Sequence, residues 1–432
     1  MRYLIIGGSA AGVSAVEAIR SVDRNSEINL FSWESTPLYS RVLLSYYIAD
    51  LLPKEQLSFR PLDFFKDFKV TAHLGQRVQA ISPETKTVRT EDGREHSYDR
   101  LLIATGSTPN SMDIPGADKQ GIFAVRNLEH AQGIVRHLTK TTPVCILGGG
   151  LIGMRVGYAL SVRGLKVKLI IASDRILSQM LDEEASRIVQ ARMQEHGIDV
   201  LTGRNAVRIL GGDSVESVVL DSGEKIDCQL VVVGKGVDPN VEIVSSTRVK
   251  VGEGILADDH MRTSEPDIYA AGDVAEAYDL CWERPNVNAL WPIAFEQGRV
   301  AGLNMAGREV TYDGSFRMNA LDVYGLPVIS TGITRPQGTG YEEVKVSAKE
   351  SYRKLVLKDG RIVGSIYIGD VQKTGIITTL LKKRIKVSDY VPFLLSDRLN
   401  FADLLPLIKR NADKFKEVEY RELSQRPSAS RR

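Results

Sequence analysis

Cysteine is scarce in this chain. Its 432 residues include three, Cys145, Cys228 and Cys281, far apart and in no C-x-x-C or C-x4-C pair. That spacing offers no disulfide framework, no zinc site and no local iron–sulfur ligand set. Cys145 and Cys228 lie in or beside apolar strand-type runs, where a thiol behaves as a small hydrophobe. The six histidines (73, 96, 130, 137, 196 and 260) are scattered as well. Most are read as surface residues, and no metal site is assigned. An excess of one charge is also missing: 56 basic and 54 acidic residues leave a net charge of +2. With no basic stripe interleaved with aromatics, a nucleic-acid partner is not expected. No stretch approaches the ~18 apolar residues of a membrane span. The first residues enter a strand directly, without the pattern of a secretory leader, so a cytoplasmic location is the expectation. No paired carboxylates and no nucleophile–base set stand out, and no catalytic residue is assigned.

What remains is ordinary globular composition, with 43% hydrophobic and 25% charged residues, enough chain for two to four domains at about 100–200 residues each. The informative feature is glycine. Tyr3 to Ile6 is a short apolar run that breaks into Gly7, Gly8, Ser9, Ala10, Ala11 and Gly12, and Val13 to Arg20 has helical character. A strand, a glycine turn and a helix bring bare backbone N–H groups and a helix N-terminus to one point, where a pyrophosphate can sit. The usual spacing is G-x-G-x-x-G; here Ser9 stands at the middle glycine. The next strand, Ile28 to Ser32, leads into Trp33 and Glu34. A dinucleotide site wants an acid near such a strand end for the ribose hydroxyls, and of Ser32 and Glu34 the acid is favoured. Pro37 to Tyr47 is a loop entering a helix, with Arg41 placed to clamp a pyrophosphate or to face solvent.

The pattern returns. Val144 to Leu147 is apolar, and Gly148, Gly149, Gly150, Leu151, Ile152 and Gly153 complete the G-x-G-x-x-G spacing before a second helix. Two copies suggest two cofactors, or one cofactor and one substrate nucleotide. The strand after the second copy, Lys166 to Ile171, lacks the acid at its end unless Asp174 serves. Arg175 beside Ser173 suits a 2′-phosphate instead, so NAD and NADP both stay open. Further on, Leu230 to Val233 runs into Gly234, and Tyr98 to Gly106 is a strand ending in the small residues Ala104, Thr105 and Gly106. Thr263 to Asp273 is a strand closed by Gly272 and Asp273. From about 312 strand patterns dominate, with a hairpin at Arg353–Leu357, Asp359-Gly360 and Ile362–Ile368. Lys373–Lys383 and Phe401–Lys416 are expected to be helices, and 424–432 a flexible tail.

The two glycine turns, Ala104-Thr-Gly106 and Thr263-Ser-Glu-Pro-Asp-Ile-Tyr-Ala-Ala-Gly-Asp273 together resemble the FAD/NAD(P)-dependent pyridine nucleotide-disulfide oxidoreductase superfamily, from residue 1 to about 310. Tyr39-Ser-Arg-Val-Leu-Leu-Ser45 is similar to the flavoprotein portion of nitrite reductases and to rubredoxin reductases. It is also similar to the FAD subunits of phenylglyoxylate dehydrogenase and tungsten aldehyde oxidoreductase. The resemblance implies an α/β protein with two Rossmann-like domains, one inserted in the other, and a β-rich α+β interface domain. Residues 1–112 and 250–312 would bind FAD, 113–249 would bind NAD(P), and 313–423 would form the interface domain, with homo- or hetero-oligomers through it. The siroheme and iron–sulfur domains of a nitrite reductase would find no room in the chain.

By the same resemblance Gly7, Ser9 and Gly12 would hold the FAD pyrophosphate. Arg41, Thr105, Gly106 and Arg126 would line the FAD, with Asp273 at its ribityl–pyrophosphate region. Arg77 and Val78 would meet the adenine, and Trp291, Pro292 and Ala294 the flavin-side helix near the isoalloxazine. Gly148, Gly150, Leu151, Ile152, Gly153, Ser173, Arg175 and Gly234 would hold the nicotinamide nucleotide. Two positions depart from the family. Thiol-dependent relatives place a redox cysteine where this chain has Val42, and many carry a glutamate where it has Arg155. The leading expectation is hydride exchange between NAD(P)(H) and FAD, with single electrons passing to or from an iron–sulfur partner. A stand-alone reductase with a small acceptor is the alternative, and a flavin scaffold without nicotinamide chemistry is a third.

Overall fold

The computed structural model describes residues 1–36, 38–396, 399 and 401–415. They form two units, Met1–Ile176 with Gln194–Ser315, and Leu177–Met193 with the residues from Phe316 on. No helix among the described residues is long and apolar enough to cross a membrane.

The first unit contains two parallel five-stranded sheets. In one, the strands stand in the order Ile268–Ala270, Arg100–Ile103, Arg2–Ile6, Glu27–Ser32, Val70–Leu74. In the other the order is Asp199–Thr202, Val167–Ile171, Val144–Leu147, Leu230–Val233, Ile122–Ala124. Strands such as Val144–Leu147 and Leu230–Val233 are buried at every residue. Unbroken apolar runs of this kind belong to sheets covered on both faces. In each sheet the chain first winds to one side of the strand that enters a glycine turn and later adds a strand on its other side. That reversal opens a crevice at the carboxyl end of the strand, which puts both crevices at the glycine turns. The first helix spans Ala10–Val22. It packs on Trp291–Met305 so closely that a Cβ on Gly298 would lie 2.1 Å from the Ala11 carbonyl oxygen, and one on Gly302 2.6 Å from that of Ala15.

The second unit is built on an antiparallel sheet ordered Met318–Val323, Leu326–Gly332, Arg361–Ile368, Ser351–Lys358, Tyr341–Ala348. Its hairpin turn places Asp359 and Gly360 at φ of +50° and +73°, the double positive φ of the tight turn that matches strand twist. Leu177–Met193 belongs to this unit through buried charge. The Lys354 ammonium, on a side chain 4% exposed, meets Asp182 at 3.0 Å and also Glu343. Tyr352 donates to the same Asp182, and Lys345 pairs with Glu184 at 2.8 Å.

Two sequence expectations change. Phe401–Lys416 is not one helix but three short pieces, Phe401–Leu404, Leu405–Arg410 and Ala412–Lys414, with Lys416 outside the described residues. Pro406 has no N–H to give and its ring excludes a carbonyl one turn back. The histidines are not mostly surface residues: five are half-buried and His196 alone is exposed. His73 stacks on Phe31 with centroids 4.2 Å apart and His96 meets the same ring edge-on at 4.8 Å. Burial holds the His73 imidazole below its usual range, with His96 adding to the effect. The expected tail at 424–432 lies outside the described residues.

Candidate functional site

At the first turn Gly7 has a φ of +123°. A Cβ there would lie 2.0 Å from the Ala104 carbonyl oxygen, and one on Gly12 1.9 Å from the Gly7 carbonyl oxygen. Only hydrogen fits at either place. The Ser9 side chain makes no capping bond, and the first helical turn carries no acid. The first amides of Ala10–Val22, which have no partner within a helix, are thus left for an anion. Ser9 itself has a φ of −102°, a conformation any residue adopts. At the matching place in the second turn, Gly150 has a φ of −80°, and a Cβ there would meet nothing within 4 Å. The middle glycine is therefore the replaceable one.

Around this turn the structure gathers residues far apart in sequence. Arg41 forms an ion pair with Glu34, whose carboxylate also accepts from the Tyr39 hydroxyl. Arg41 Nη1 donates to the Arg126 carbonyl at 2.7 Å. Arg126 in turn pairs with Asp273 at 2.9 Å and donates from Nε to the Ser107 carbonyl at 2.9 Å. The Ser107 hydroxyl reaches the same Asp273 oxygen at 3.0 Å. Burial, with Glu34 adding to it, holds the Tyr39 phenol well above its usual range, so it stays a donor. Thr105 and Asn240 exchange two hydrogen bonds, at 3.0 and 2.9 Å. Gly272, at a φ of +84° that favours glycine, lies between the methyls of Ala11 and Ala294: a Cβ there would be tight against the first at 3.2 Å and in ordinary contact with the second at 3.6 Å. The Gly272 N–H donates to buried Gln297 at 2.8 Å.

So Glu34, Arg41, Arg126 and Asp273 form one chain of charges, two ion pairs joined through the Arg126 carbonyl, and Ala11, Gly272 and Ala294 one packed point. Ser32 and Val78 are buried close to their strand ends. Trp33 and Val42 are 59% and 41% exposed. Arg77 and Pro292 are exposed too, and all four stand outside that chain of charges. Tyr39, Ser107, Asn240 and Gln297 were not picked out as site residues. Tyr39 lies inside a quoted motif, Gln297 one turn past Ala294 on the same helix, and Ser107 directly follows Gly106; Asn240 carries no local signal at all.

The second turn repeats the geometry. Gly148 has a φ of +126°. A Cβ on it would lie 2.2 Å from the Gly234 carbonyl oxygen, and one on Gly153 2.0 Å from that of Gly148. Gly150 precedes the helix Leu151–Val162, again with no acid in its first turn. Leu151 and Arg155 are half-buried, and Ile152 is 42% exposed. The Ser173 hydroxyl donates to the Arg175 carbonyl at 2.8 Å. Cys145 and Cys228 sit in the core beneath this sheet. Their mutual hydrogen bond and their burial raise the Cys145 thiol far above its usual range, which keeps it protonated. Asp258, Asp259 and His260 bring ligand-type atoms within 4.8 Å of one another. Asp258, however, is engaged as an acceptor for the backbone N–H groups of His260 and Arg262. The residues at the two turns fit two dinucleotides: each offers a cradle that a single Cβ would fill and an uncapped helix N-terminus above it.

Known proteins agree with this geometry. Over residues 318–385 the chain matches the rubredoxin NAD+ reductase C-terminal domain. It is 30% identical over 89% of its length to the assimilatory nitrate reductase electron transfer subunit of Bacillus subtilis, of which the match covers 49%. It is 29% identical to the NADH-dependent phenylglyoxylate dehydrogenase subunit epsilon of Aromatoleum evansii, over 89% of this chain and 92% of that one. The solved covalent putidaredoxin reductase–putidaredoxin complex superposes with a TM-score of 0.85 at 25% identity, covering 96% of this chain and 99% of that one. The chain spans about half the length of the first curated relatives it matches. With residues 1–298 matching its model, the chain belongs to the pyridine nucleotide-disulphide oxidoreductase family, whose members bind FAD and NAD(P)H.

Proposed function

We propose that this protein is a flavin electron-transfer enzyme or subunit. It exchanges hydride with a nicotinamide nucleotide and passes single electrons to or from an iron–sulfur partner, with no cysteine taking part. FAD, when bound, supplies the hydride and one-electron chemistry; the protein binds, orients and shields it.

In this reading residues 1–112 and 250–312 hold FAD. Gly7, Ser9 and Gly12 receive its pyrophosphate on bare amides. Glu34 accepts from ribose hydroxyls once Arg41 turns toward phosphate. Asp273, held by Arg126 and Ser107, meets the ribityl region, and Ala294 and Trp291 stand at the ring. Residues 113–249 take the nicotinamide nucleotide at Gly148–Gly153. Residues 313–423 are the interface domain through which the protein assembles with a partner or a second copy. The relatives named for electron transfer, and the reductase solved in complex with putidaredoxin, support a protein acceptor.

One observation carries the thiol-free reading. Position 42, where thiol-dependent relatives place a redox cysteine, is valine, and all three cysteines are buried. A flavin without a disulfide partner stores two electrons, and with one it stores four. Anaerobic dithionite titration of the flavin-loaded protein is therefore expected to end at two electrons per flavin. Stopped-flow mixing with NADPH or NADH is expected to bleach the flavin, and a ferredoxin or rubredoxin added next to reoxidise it in one-electron steps. An end point of four electrons sinks the thiol-free reading. A flavin left oxidised by both nucleotides sinks the hydride exchange.

A further inference from the structure

At the second turn the strand Val167–Ile171 ends on a side chain that accepts no hydrogen bond. Ile171 is 2% exposed and lies on the turn itself, its Cδ1 2.7 Å from where a Cβ on Gly149 would stand. A ribose with a free 2′-hydroxyl is held by a carboxylate at this place. The next carboxylate along the chain, Asp174, is 75% exposed, and both its oxygens are taken by Arg175 Nη1, at 2.8 and 2.7 Å. The Arg175 side chain is 14% exposed, and its Nε is buried without a hydrogen-bond partner.

A second arginine stands beside this strand end. The Arg204 N–H donates to the Ile171 carbonyl at 3.0 Å, and the Gly203 N–H to the Ser173 carbonyl at 2.9 Å. The loop after Asp199–Thr202 is thereby laid along residues 171–173. The Arg204 side chain is exposed and donates to the Gly203 carbonyl at 2.9 Å. One guanidinium, that of Arg175, thus pairs with an exposed carboxylate, and a second, that of Arg204, stands exposed on the loop laid along the same strand end.

On the reading that this turn holds a nicotinamide nucleotide, we propose that the site selects the 2′-phosphorylated form, NADPH, with Arg175 and Arg204 as the ligands of its 2′-phosphate. The guanidinium fork matches a phosphate in two-point contact. Asp174 gives up Arg175 at little cost, because at the surface its carboxylate is rehydrated by water. With NADH the same two arginines would face a neutral hydroxyl and no carboxylate would receive it.

The test uses the flavin-loaded protein and needs no turnover. Calorimetric titrations compare adenosine 2′,5′-bisphosphate with 5′-AMP, which lacks only the 2′-phosphate, and NADPH with NADH. The 2′-phosphorylated ligand of each pair is expected to bind about tenfold tighter or more, as charge-assisted bonds of roughly 1.5–3 kcal/mol require. The advantage is expected to shrink with added salt, and below about pH 6, where the phosphate dianion takes up a proton. Arg175→Gln and Arg204→Ser are each expected to reduce it while leaving 5′-AMP binding within about twofold. Equal affinities in the unmodified protein, tighter NADH, or arginine variants that weaken both ligands of a pair alike overturn the selection of NADPH and leave the turn's assignment standing. If none of the four ligands binds, that assignment falls, and this inference with it.

Discussion

Gly7 and Gly148 have φ values of +123° and +126°, and each is pressed against a carbonyl oxygen from a neighbouring strand end, Ala104 in one sheet and Gly234 in the other. Gly12 and Gly153 repeat the match: a Cβ on either would lie 1.9 or 2.0 Å from the first glycine's carbonyl oxygen. The two turns diverge one strand later. Past the first lies Glu34, in an ion pair with Arg41; past the second lies Ile171, buried against the turn. Backbone sterics are common to both, and on the proposed reading they hold a diphosphate. The strand end differs, and on the same reading it selects which nucleotide carries the diphosphate.

The largest effect should come from filling one cradle at a time. Gly153→Val puts carbon where the Gly148 carbonyl stands. We expect nicotinamide nucleotide binding to weaken by about 100-fold or more, from overpacking of about 1–3 kcal/mol plus a displaced turn, with flavin content unchanged by absorbance. Gly12→Val should do the reverse and yield protein without flavin. If both variants lose flavin equally, the division of labour between the turns fails. Next comes Glu34→Gln, which removes the charged acceptor from the first strand end. Flavin should bind about tenfold more weakly, as loss of one bond to a charged group implies, measured by dialysis against free FAD. A third effect separates the sheets by pH. His73 and His96 pack on Phe31 in the first sheet, and the second sheet's strands carry no histidine. Because the folded His73 titrates below its unfolded value, its stabilising contribution is complete above about 6.5 and fades as pH falls through the folded value. The unfolding temperature should drop with acid in that window, and less so in His73→Gln. The smallest effect should be the exchange of middle residues. Ser9→Gly and Gly150→Ser should each change ligand affinity by no more than about threefold, since a helix N-cap tolerates either residue within a few tenths of a kcal/mol.

Much of this was legible where the signal is local. The runs Val144–Leu147 and Leu230–Val233 are strands to the residue. Asp359-Gly360 marked its hairpin because few residues tolerate two consecutive positive φ angles. Arg126, Asp273 and Arg41 were each marked from the resemblance, but the joining of the Glu34–Arg41 and Arg126–Asp273 pairs through the Arg126 carbonyl is a tertiary fact. Asn240, bonded to Thr105 across 135 residues of sequence, could not be found locally. Helical periodicity from Phe401 on outweighed Pro406, and the proline prevailed. His73 and His96 look polar in a string of letters; half-buried, one stacked on Phe31 and the other edge-on to it, they pack against the core.

The segment Leu177–Met193 has a consequence for how the protein is made. It leaves the ribosome before half of the chain has been synthesised, yet the lysine that neutralises its Asp182 is Lys354, 172 residues later. Until that sheet emerges, Asp182 keeps only the local bond from the Ala185 N–H, and Glu184 lacks Lys345. The second unit therefore cannot be completed in the order of its synthesis. A messenger truncated after residue 315 would release a protein whose Asp182 lacks Tyr352 and Lys354 and whose Glu184 lacks Lys345.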